Sequence, residues 1–243
     1  MSPVQMLWIG ARLSNLERLS MASFVANGHP VHLYSYGGVE NVPAGVVAFD
    51  AREILPESSV FAYADGFGRG SPAAFANRFR YKLLLERGGM YADADIVCLR
   101  PFEFAEAMEH AIASERIPQA DGQVRLNACF LKAPAGSDAM RACSDECATR
   151  DPASLRWGET GPELVTRVFG ERGMRRFALA PEVINPVDWW DAHRLALLPL
   201  PQGPASTHAV HFWNELWRQQ RLDKDATYAP DCAFETLKRR YGV

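Results

Sequence analysis

Short apolar runs that are typical of strands alternate with helical patterns through the first half of the chain, and this order restricts the fold most. The predicted strands are residues 4–9, 30–36, 45–50, 90–101, 110–114 and 125–133, and the predicted helices are residues 15–27 and 71–87. Ser71 and Pro72 suit a helix start, and Gly88 and Gly89 suit its end. Strand, helix and strand in succession favour a parallel or mixed α/β sheet covered by helices.

The second half of the chain is less regular. Helices are predicted near residues 137–149, 160–171 and 232–241, and short strands near residue 183 and over 208–213. Glycine and proline are frequent between these elements, as in segments that close over a binding site. In α/β sheets such sites lie at the carboxyl ends of the strands. We expect residues 1–243 to form a single domain, because length divided by about 150 is only a soft prior on the number of domains and one α/β domain is the simplest interpretation.

Composition excludes several classes of function. The chain is 48% hydrophobic and carries a formal charge of −3, so nucleic acid is not an expected partner. Its five cysteines are odd in number and contain no Cys-x-x-Cys pair, which argues against a zinc site or a disulfide framework. No apolar stretch approaches the roughly 18 residues of a transmembrane segment, and no signal peptide is evident. A cytoplasmic protein is therefore expected.

Two carboxylates, Asp93 and Asp95, stand one residue apart inside the apolar run that follows Gly88 and Gly89. In a strand, residues i and i+2 point to the same face, so the pair is predicted to present its carboxylates side by side. Oxygen ligands of this kind suit manganese or magnesium, which keep coordination places for water and substrate phosphates. The pair therefore predicts a divalent cation, with a diphosphate as its partner.

An Asp-x-Asp pair is also compatible with other kinds of site. An EF-hand loop starting at Asp93 is excluded, because its sixth and twelfth positions are Cys98 and Phe104 instead of glycine and glutamate. Solvated turn residues, an aspartyl-phosphate phosphatase or phosphotransferase with Asp93 as nucleophile, and a glycoside hydrolase stay open. The phosphatase is weakened, because the apolar run is longer after the pair than before it.

Residues 73–101, AAFANRFRYKLLLERGGMYADADIVCLRP, resemble the segment with the Asp-x-Asp motif in the glycosyltransferase sugar-binding-region family. That family includes initiation mannosyltransferases, α-1,4-glycosyltransferases and, more remotely, the glucosylating domains of clostridial toxins. The matching positions are Tyr81, Gly88, Gly89, Tyr91, Asp93, Asp95 and Pro101. Beyond this dense segment, LWIG (7–10) and HAVHFWNELW (208–217) are similar to the family's first strand and to its C-terminal His-x-Trp segment.

The resemblance implies a Rossmann-like mixed sheet of the GT-A type with helices on both faces. It also implies a metal-dependent, retaining transfer of a hexose from a UDP- or GDP-sugar to a glycan or glycolipid hydroxyl. The corresponding expectation is a bacterial-type cytoplasmic enzyme of surface polysaccharide synthesis, with a peripheral position at the inner face of the membrane as the alternative location. A catalytically silent module that binds nucleotide sugars is a further alternative.

The resemblance also assigns roles to residues near the acidic pair. Asp95 would bind the metal directly, and Asp93 would bind the ribose or sugar and reach the metal less directly. Arg80 would contact the donor sugar and phosphate, since a guanidinium fork suits phosphate oxygens. Asn77 stands where many relatives carry an aspartate that binds sugar hydroxyls. Trp8 aligns with an aromatic residue that stacks on the base.

Candidates elsewhere in the chain complete the predicted site. His211 is expected to be the last metal ligand, with His208 as its competitor, and Trp213 to close over the donor or to pack the terminal segment. Asn127, on a central strand, is a candidate contact of the donor sugar. Glu159 and Thr160 open a predicted helix whose N-terminus suits hydroxyl-rich groups, and we expect them on the acceptor side.

Overall fold

The computed structural model describes residues 1–120 and 122–243. The strands are β1 Val4–Leu7, β2 Val31–Ser35, β3 Val46–Asp50, β4 Gly89–Ala92, β5 Ile96–Cys98, β6 Ala111–Arg116, β7 Val124–Ala133 and β8 Ala209–His211. The α-helices are α1 Asn15–Ala26, α2 Ala73–Arg87, α3 Glu103–Glu106, α4 Asp138–Thr149, α5 Leu164–Glu171, α6 Pro181–Ile184, α7 Arg194–Leu197, α8 Asn214–Gln219 and α9 Ala233–Tyr241. None of the described helices has the length and apolar character needed to cross a membrane.

Six strands form one mixed sheet in the order β3-β2-β1-β4-β7-β6. Strands β3, β2, β1 and β4 pair in parallel, whereas β7 pairs antiparallel with both β4 and β6. Strands β5 and β8 pair antiparallel in a separate two-stranded sheet. The predicted mixed α/β architecture is confirmed.

Helices cover both faces of the large sheet. Successive side chains of a strand point to opposite faces, so they pack in two different hydrophobic clusters. On one face, Leu7 of β1 packs in a cluster with Phe79 of α2. On the other face, Met6 packs in a cluster with Met21 and Phe24 of α1. The expectation of helices on both faces is therefore confirmed, and α2 is fixed beside the end of β1.

The predicted strand 90–101 is wrong as one element. Strand β4 ends at Ala92, and the chain then turns, with the Ile96 N–H donating to the Asp93 carbonyl at 3.1 Å. Strand β5 leaves the large sheet and pairs with β8 instead. Asp93 and Asp95 therefore belong to a turn between two sheets, and the argument that they share one face of a strand is wrong.

The strand predicted near residue 183 is also wrong. Residues Pro181–Ile184 form the short helix α6, and the Asn185 N–H closes its turn on the Pro181 carbonyl at 2.6 Å. Proline at the first helical position has a preset backbone angle and needs no hydrogen-bond donor, so it favours a helical turn here. Of the apolar residues in this helix, Ile184 is buried and Val183 is half-buried, and both pack on the cluster that contains Met6 and Phe24.

Gly88 ends α2 with φ of +64°, and a Cβ added there would lie 2.5 Å from the backbone nitrogen of Ala135. We expect Gly88→Ala to lower the free energy of unfolding by about 2–4 kcal/mol, because left-handed strain and a backbone collision add. Gly136→Ala is the matched control, since Gly136 has φ of +78° but open space around it. Urea unfolding should show the larger loss for Gly88→Ala, and equal losses would exclude the collision.

Candidate active site

The turn that carries Asp93 and Asp95 lies at the carboxyl end of β4, on the wall of a cavity of about 510 Å³. Strand β1 ends on the same wall, and α2 and the segment after β8 also line it. The parallel strands β1 and β4 therefore bring their carboxyl ends to one opening, where ligands bind in open α/β sheets. Of the predicted site residues, the cavity is lined by Trp8, Asn77, Arg80, Asp93, Asp95, Asn127, His211 and Trp213.

Among the described residues, Asp93, Asp95 and His211 form a cluster that can hold a metal ion. Each of them offers one ligand atom, and the three ligand atoms lie within 4.8 Å of one another. Strand β8 places His211 opposite Ile96, so Nε2 of His211 lies 3.2 Å from Oδ2 of Asp95. Oδ1 of Asp95 is buried and has no hydrogen-bond partner among the described residues. Two carboxylates and an imidazole suit manganese-like ions, so this donor set fits a divalent cation.

Asn185 fixes the orientation of His211. Its amide Nδ2 donates to the Ser114 carbonyl at 2.8 Å, so Oδ1 faces Nδ1 of His211 at 3.0 Å. The Trp213 ring stacks on the imidazole with centroids 3.9 Å apart. Such a partner holds a metal-binding imidazole in one orientation and leaves Nε2 free for the ion.

His208 lies outside this cluster. Its Nδ1 is 2.7 Å from the Pro101 carbonyl, and its ring packs on Phe104 with centroids 4.7 Å apart. His208 precedes β8, and its ring contacts the Pro101 carbonyl and Phe104 instead of the acidic pair. The geometry favours His211 of the two candidates.

Asp93, Asp95 and His211 shift one another's pKa values. Burial raises the pKa of Asp93, the nearby Asp95 adds to this, and the Arg80 guanidinium opposes it. Burial also acts to raise the pKa of Asp95, but the charge of His211 and hydrogen bonds outweigh it and hold that pKa below its usual range. Burial alone would lower the pKa of His211, yet Asp95 raises it well above its ordinary value. Without an ion, His211 and Asp95 therefore form an ion pair.

Arg80 of α2 is almost fully buried behind the acidic turn. One guanidinium nitrogen lies 2.8 Å from Oδ1 of Asp93, and another donates to the Ala128 carbonyl at 2.5 Å. The guanidinium carbon lies 4.9 Å from the ring centroid of Tyr91. The predicted phosphate-binding arginine therefore lines the cavity, but its first partner in the protein is Asp93.

The remaining donor-side candidates also have protein partners. Asn77 donates to Thr160 Oγ1 at 3.3 Å. Asn127 Oδ1 accepts the Cys129 N–H at 2.8 Å. The Trp8 indole N–H donates to the Arg12 carbonyl at 3.2 Å, and the Trp213 indole N–H donates to the Val187 carbonyl at 2.9 Å. These contacts fix the four side chains while their remaining faces line the cavity.

Glu159 and Thr160 do not line the cavity wall. Glu159 turns outward, where its carboxylate accepts from Arg150 at 3.0 Å and from the Arg156 N–H at 3.1 Å. Thr160 is buried beneath Asn77. The helix expected from residue 160 has non-helical backbone angles at Gly161, and α5 starts only at Leu164. The prediction that Glu159 and Thr160 touch the acceptor is therefore not supported by their positions.

Several cavity residues were missed by the sequence interpretation. Glu115 is a buried carboxylate on β6 that binds Arg125 at 2.5 Å and also accepts from Asn127. Trp189 lines the cavity with a buried indole N–H that has no partner in the described part of the chain. Neither residue belongs to a local motif, because β6, β7 and the segment around residue 189 meet only in the folded chain.

Comparison with known proteins confirms the resemblance. Residues 50–117 match the model of the family described as glycosyltransferase sugar-binding region containing DXD motif. Lactosylceramide 4-alpha-galactosyltransferases of Gorilla gorilla gorilla and Homo sapiens are each 25% identical in an alignment of 199 positions that covers 73% of this chain. The match covers 57% of the gorilla protein and 53% of the human one, so the chain spans little more than half of these relatives.

Among solved structures, the PaToxG glycosyltransferase is similar with a TM-score of 0.48 and 14% sequence identity. The match covers 70% of this chain and 69% of that structure. The glycosyltransferase GlyE of Streptococcus pneumoniae TIGR4 is similar with a TM-score of 0.43 and 14% identity, over 75% of this chain and 46% of that one.

Proposed function

We propose that this chain, whose residues 50–117 match the model of the glycosyltransferase sugar-binding region containing DXD motif, is a metal-dependent retaining glycosyltransferase. It moves a hexose from a UDP- or GDP-sugar to a hydroxyl of a glycan or glycolipid. The observation that carries the proposal is the cluster of Asp93, Asp95 and His211 on the wall of a cavity large enough for a ligand. A glycolipid acceptor is supported by the lactosylceramide galactosyltransferases that the chain resembles.

Asp95 and His211 would hold a divalent cation, together with Asp93. Such an ion stabilises the negative charge that grows on a leaving diphosphate. Asp93 keeps its place because Arg80 holds it from behind at 2.8 Å. The lining of the whole cavity is predominantly apolar, so a bound sugar would displace water there and these electrostatic interactions would be strengthened.

Retention of the anomeric configuration is proposed through substitution on one face of the sugar, with the leaving phosphate oxygen taking the acceptor proton. The new bond joins the acceptor oxygen to the anomeric carbon as the bond to the phosphate oxygen breaks. Glu115, which is a buried carboxylate on the wall like Asp95, is engaged by Arg125 and Asn127 and is therefore a poor nucleophile. This arrangement supports a route without a covalent sugar–enzyme intermediate.

The pairing of Asp93 with Arg80 also weakens the aspartyl-nucleophile alternative. A carboxylate whose oxygen accepts from a guanidinium at 2.8 Å has that lone pair engaged and is a weaker nucleophile. That alternative requires a covalent phospho-enzyme that Asp93→Asn abolishes, whereas the proposed transferase forms none. The silent-module alternative requires nucleotide-sugar binding without turnover.

Thermal unfolding in the presence of nucleotide sugars tests the donor class. At about 100 times its Kd, a true donor should add about 2.7 kcal/mol to the apparent stability, because it binds only the folded protein. UDP-galactose, UDP-glucose and GDP-mannose should be compared with and without manganese, with AMP as the control ligand. We expect one sugar nucleotide to raise the Tm only when manganese is present, and no shift with any of the three would contradict the proposal.

A further inference from the structure

Two exposed aromatic side chains, Phe67 and Trp157, stand together on the wall of the same cavity. Phe67 is 44% exposed and Trp157 is 36% exposed, and their rings meet edge to face with centroids 5.2 Å apart. Over residues 1–120 and 122–243, no other phenylalanine, tryptophan or tyrosine is exposed. The remaining exposed large hydrophobic residues do not line the cavity. The two exposed rings are therefore a local feature of the cavity.

The chain holds this pair in place from below. The buried ring of Tyr63 lies 5.3 Å from the Trp157 ring, and Tyr63 exchanges backbone hydrogen bonds with Ser71 at 3.0 Å and Gly70 at 2.9 Å. Gly68 lies against the Trp157 indole with φ of +91°, and a Cβ at this position would collide with the indole. The loop and the indole therefore fit only because residue 68 is glycine. The exposed faces are preorganised by these contacts.

Charged and polar groups stand beside the two rings. Glu163 lines the cavity, and one of its carboxylate oxygens lies 3.7 Å from the Arg156 guanidinium next to Trp157. Asn77 lines the same wall. An alkyl chain would desolvate these groups without giving them a partner, which is unfavourable. A pyranose ring has an apolar C–H face that suits an aromatic ring and hydroxyls at its edge that suit carboxylates and amides.

We propose that Phe67 and Trp157 form the platform on which a pyranose ring of the acceptor rests, with its hydroxyls directed to Glu163. This inference rests on the proposed function, because only a transferase that uses a saccharide acceptor needs such a subsite. It replaces Glu159 and Thr160, which the fold turns away from the cavity. The acceptor platform, defined as Phe67 and Trp157, then shares one cavity with the acidic turn that would hold the donor diphosphate.

Saccharide binding measured without turnover tests this inference. Saturation-transfer-difference NMR is recorded on the full chain with methyl β-lactoside, methyl β-N-acetyllactosaminide, methyl α-mannoside and methyl β-glucoside, with UDP and manganese and without them. The variants are Phe67→Ala, Trp157→Ala and Trp157→Phe. Leu197→Ala is the matched control, because Leu197 is 55% exposed and lies away from the cavity.

We expect at least one of the four saccharides to bind the wild-type protein. Phe67→Ala and Trp157→Ala should each raise the Kd of that saccharide about tenfold, which corresponds to the loss of one aromatic stack. Trp157→Phe should restore most of the affinity, and Leu197→Ala should change nothing. The Kd of UDP should stay within about twofold in all variants. Phe67→Ala is informative even if Trp157→Ala disturbs the fold, since Phe67 is the more exposed ring.

The inference is overturned if none of the four saccharides binds the wild-type protein, or if both alanine variants bind as the wild type does. The inference is also overturned if the variants weaken the binding of UDP as much as the binding of the saccharide, because the platform would then hold the nucleotide base. Failure of the proposed function is seen separately, as an absence of manganese-dependent binding of sugar nucleotides to the wild-type protein.

Discussion

Asp95→Asn is expected to lower the rate of sugar transfer by about a thousandfold or more while the protein stays folded, since the charge that binds the ion is lost. Asparagine has the shape of aspartate and still accepts the Asn214 N–H, which donates to Oδ2 of Asp95 at 2.7 Å. The substitution removes the negative charge of the Asp95 carboxylate, whose Oδ1 is buried and has no hydrogen-bond partner among the described residues. The affinity for manganese should fall together with the rate.

Steady-state kinetics and manganese titration followed by electron paramagnetic resonance measure the two effects. Asp225→Asn is the matched control, because Asp225 carries the same change of charge in an exposed pair with Arg12 at 3.2 Å. It should keep the activity and the manganese affinity of the wild type. An Asp95→Asn protein that binds manganese and transfers sugar normally would remove Asp95 from the proposed site.

Arg80→Met is expected to lower the free energy of unfolding by about 3 kcal/mol and to abolish donor binding. Methionine fills much of the same volume, but it leaves Asp93 as a carboxylate without its cation and the Ala128 carbonyl without its donor. Breaking a buried ion pair by removing one partner typically costs about 3–5 kcal/mol. The loss expected for Arg80→Met lies at the lower end of this range, because the Asp93 side chain is 27% exposed.

A double-mutant cycle separates the two roles of Arg80. Asp93→Asn removes the carboxylate that Arg80→Met leaves unpaired, so the double variant should regain a large part of the lost stability in urea unfolding. It should not regain donor binding, because both groups face the cavity. If Arg80→Met unfolds at the same urea concentration as the wild type, the ion pair does not stabilise the fold.

Local signals predicted the elements that short-range chemistry determines. The sequence predicts a helix from residue 15, and in the structure Ser14 forms a capping box with Glu17 at the start of α1. Helix α2 ends at Arg87 as predicted, because Gly88 adopts a positive φ that other residues avoid. These features need only a few neighbouring residues, which is why the sequence reveals them.

The acidic pair shows what local patterns miss. The spacing of Asp93 and Asp95 predicted their convergence for a wrong reason, since the carboxylates meet across a turn and not along a strand. Whether β5 extends the large sheet or pairs with β8 depends on a partner more than 100 residues away. Residue periodicity contains no information about that pairing.

The sequence did not predict the residues that support the site but lie far from the acidic pair along the chain. Asn185 holds His211, yet the segment around it was predicted as a strand because Val183 and Ile184 are apolar. Phe67 and Trp157 are about 90 positions apart and meet only through the loop at Gly68. A motif identifies the acidic ligands, whereas the groups that orient them come from the tertiary fold.

The central claim is that Asp93, Asp95 and His211 bind a divalent ion against a diphosphate. Anomalous diffraction at the manganese edge, from crystals soaked with manganese and UDP, tests it most directly. We predict one manganese peak at about 2.2 Å from an Asp95 carboxylate oxygen and from Nε2 of His211, with diphosphate oxygens completing its coordination. A crystal that binds UDP in the cavity but shows no manganese peak beside these residues would contradict the claim.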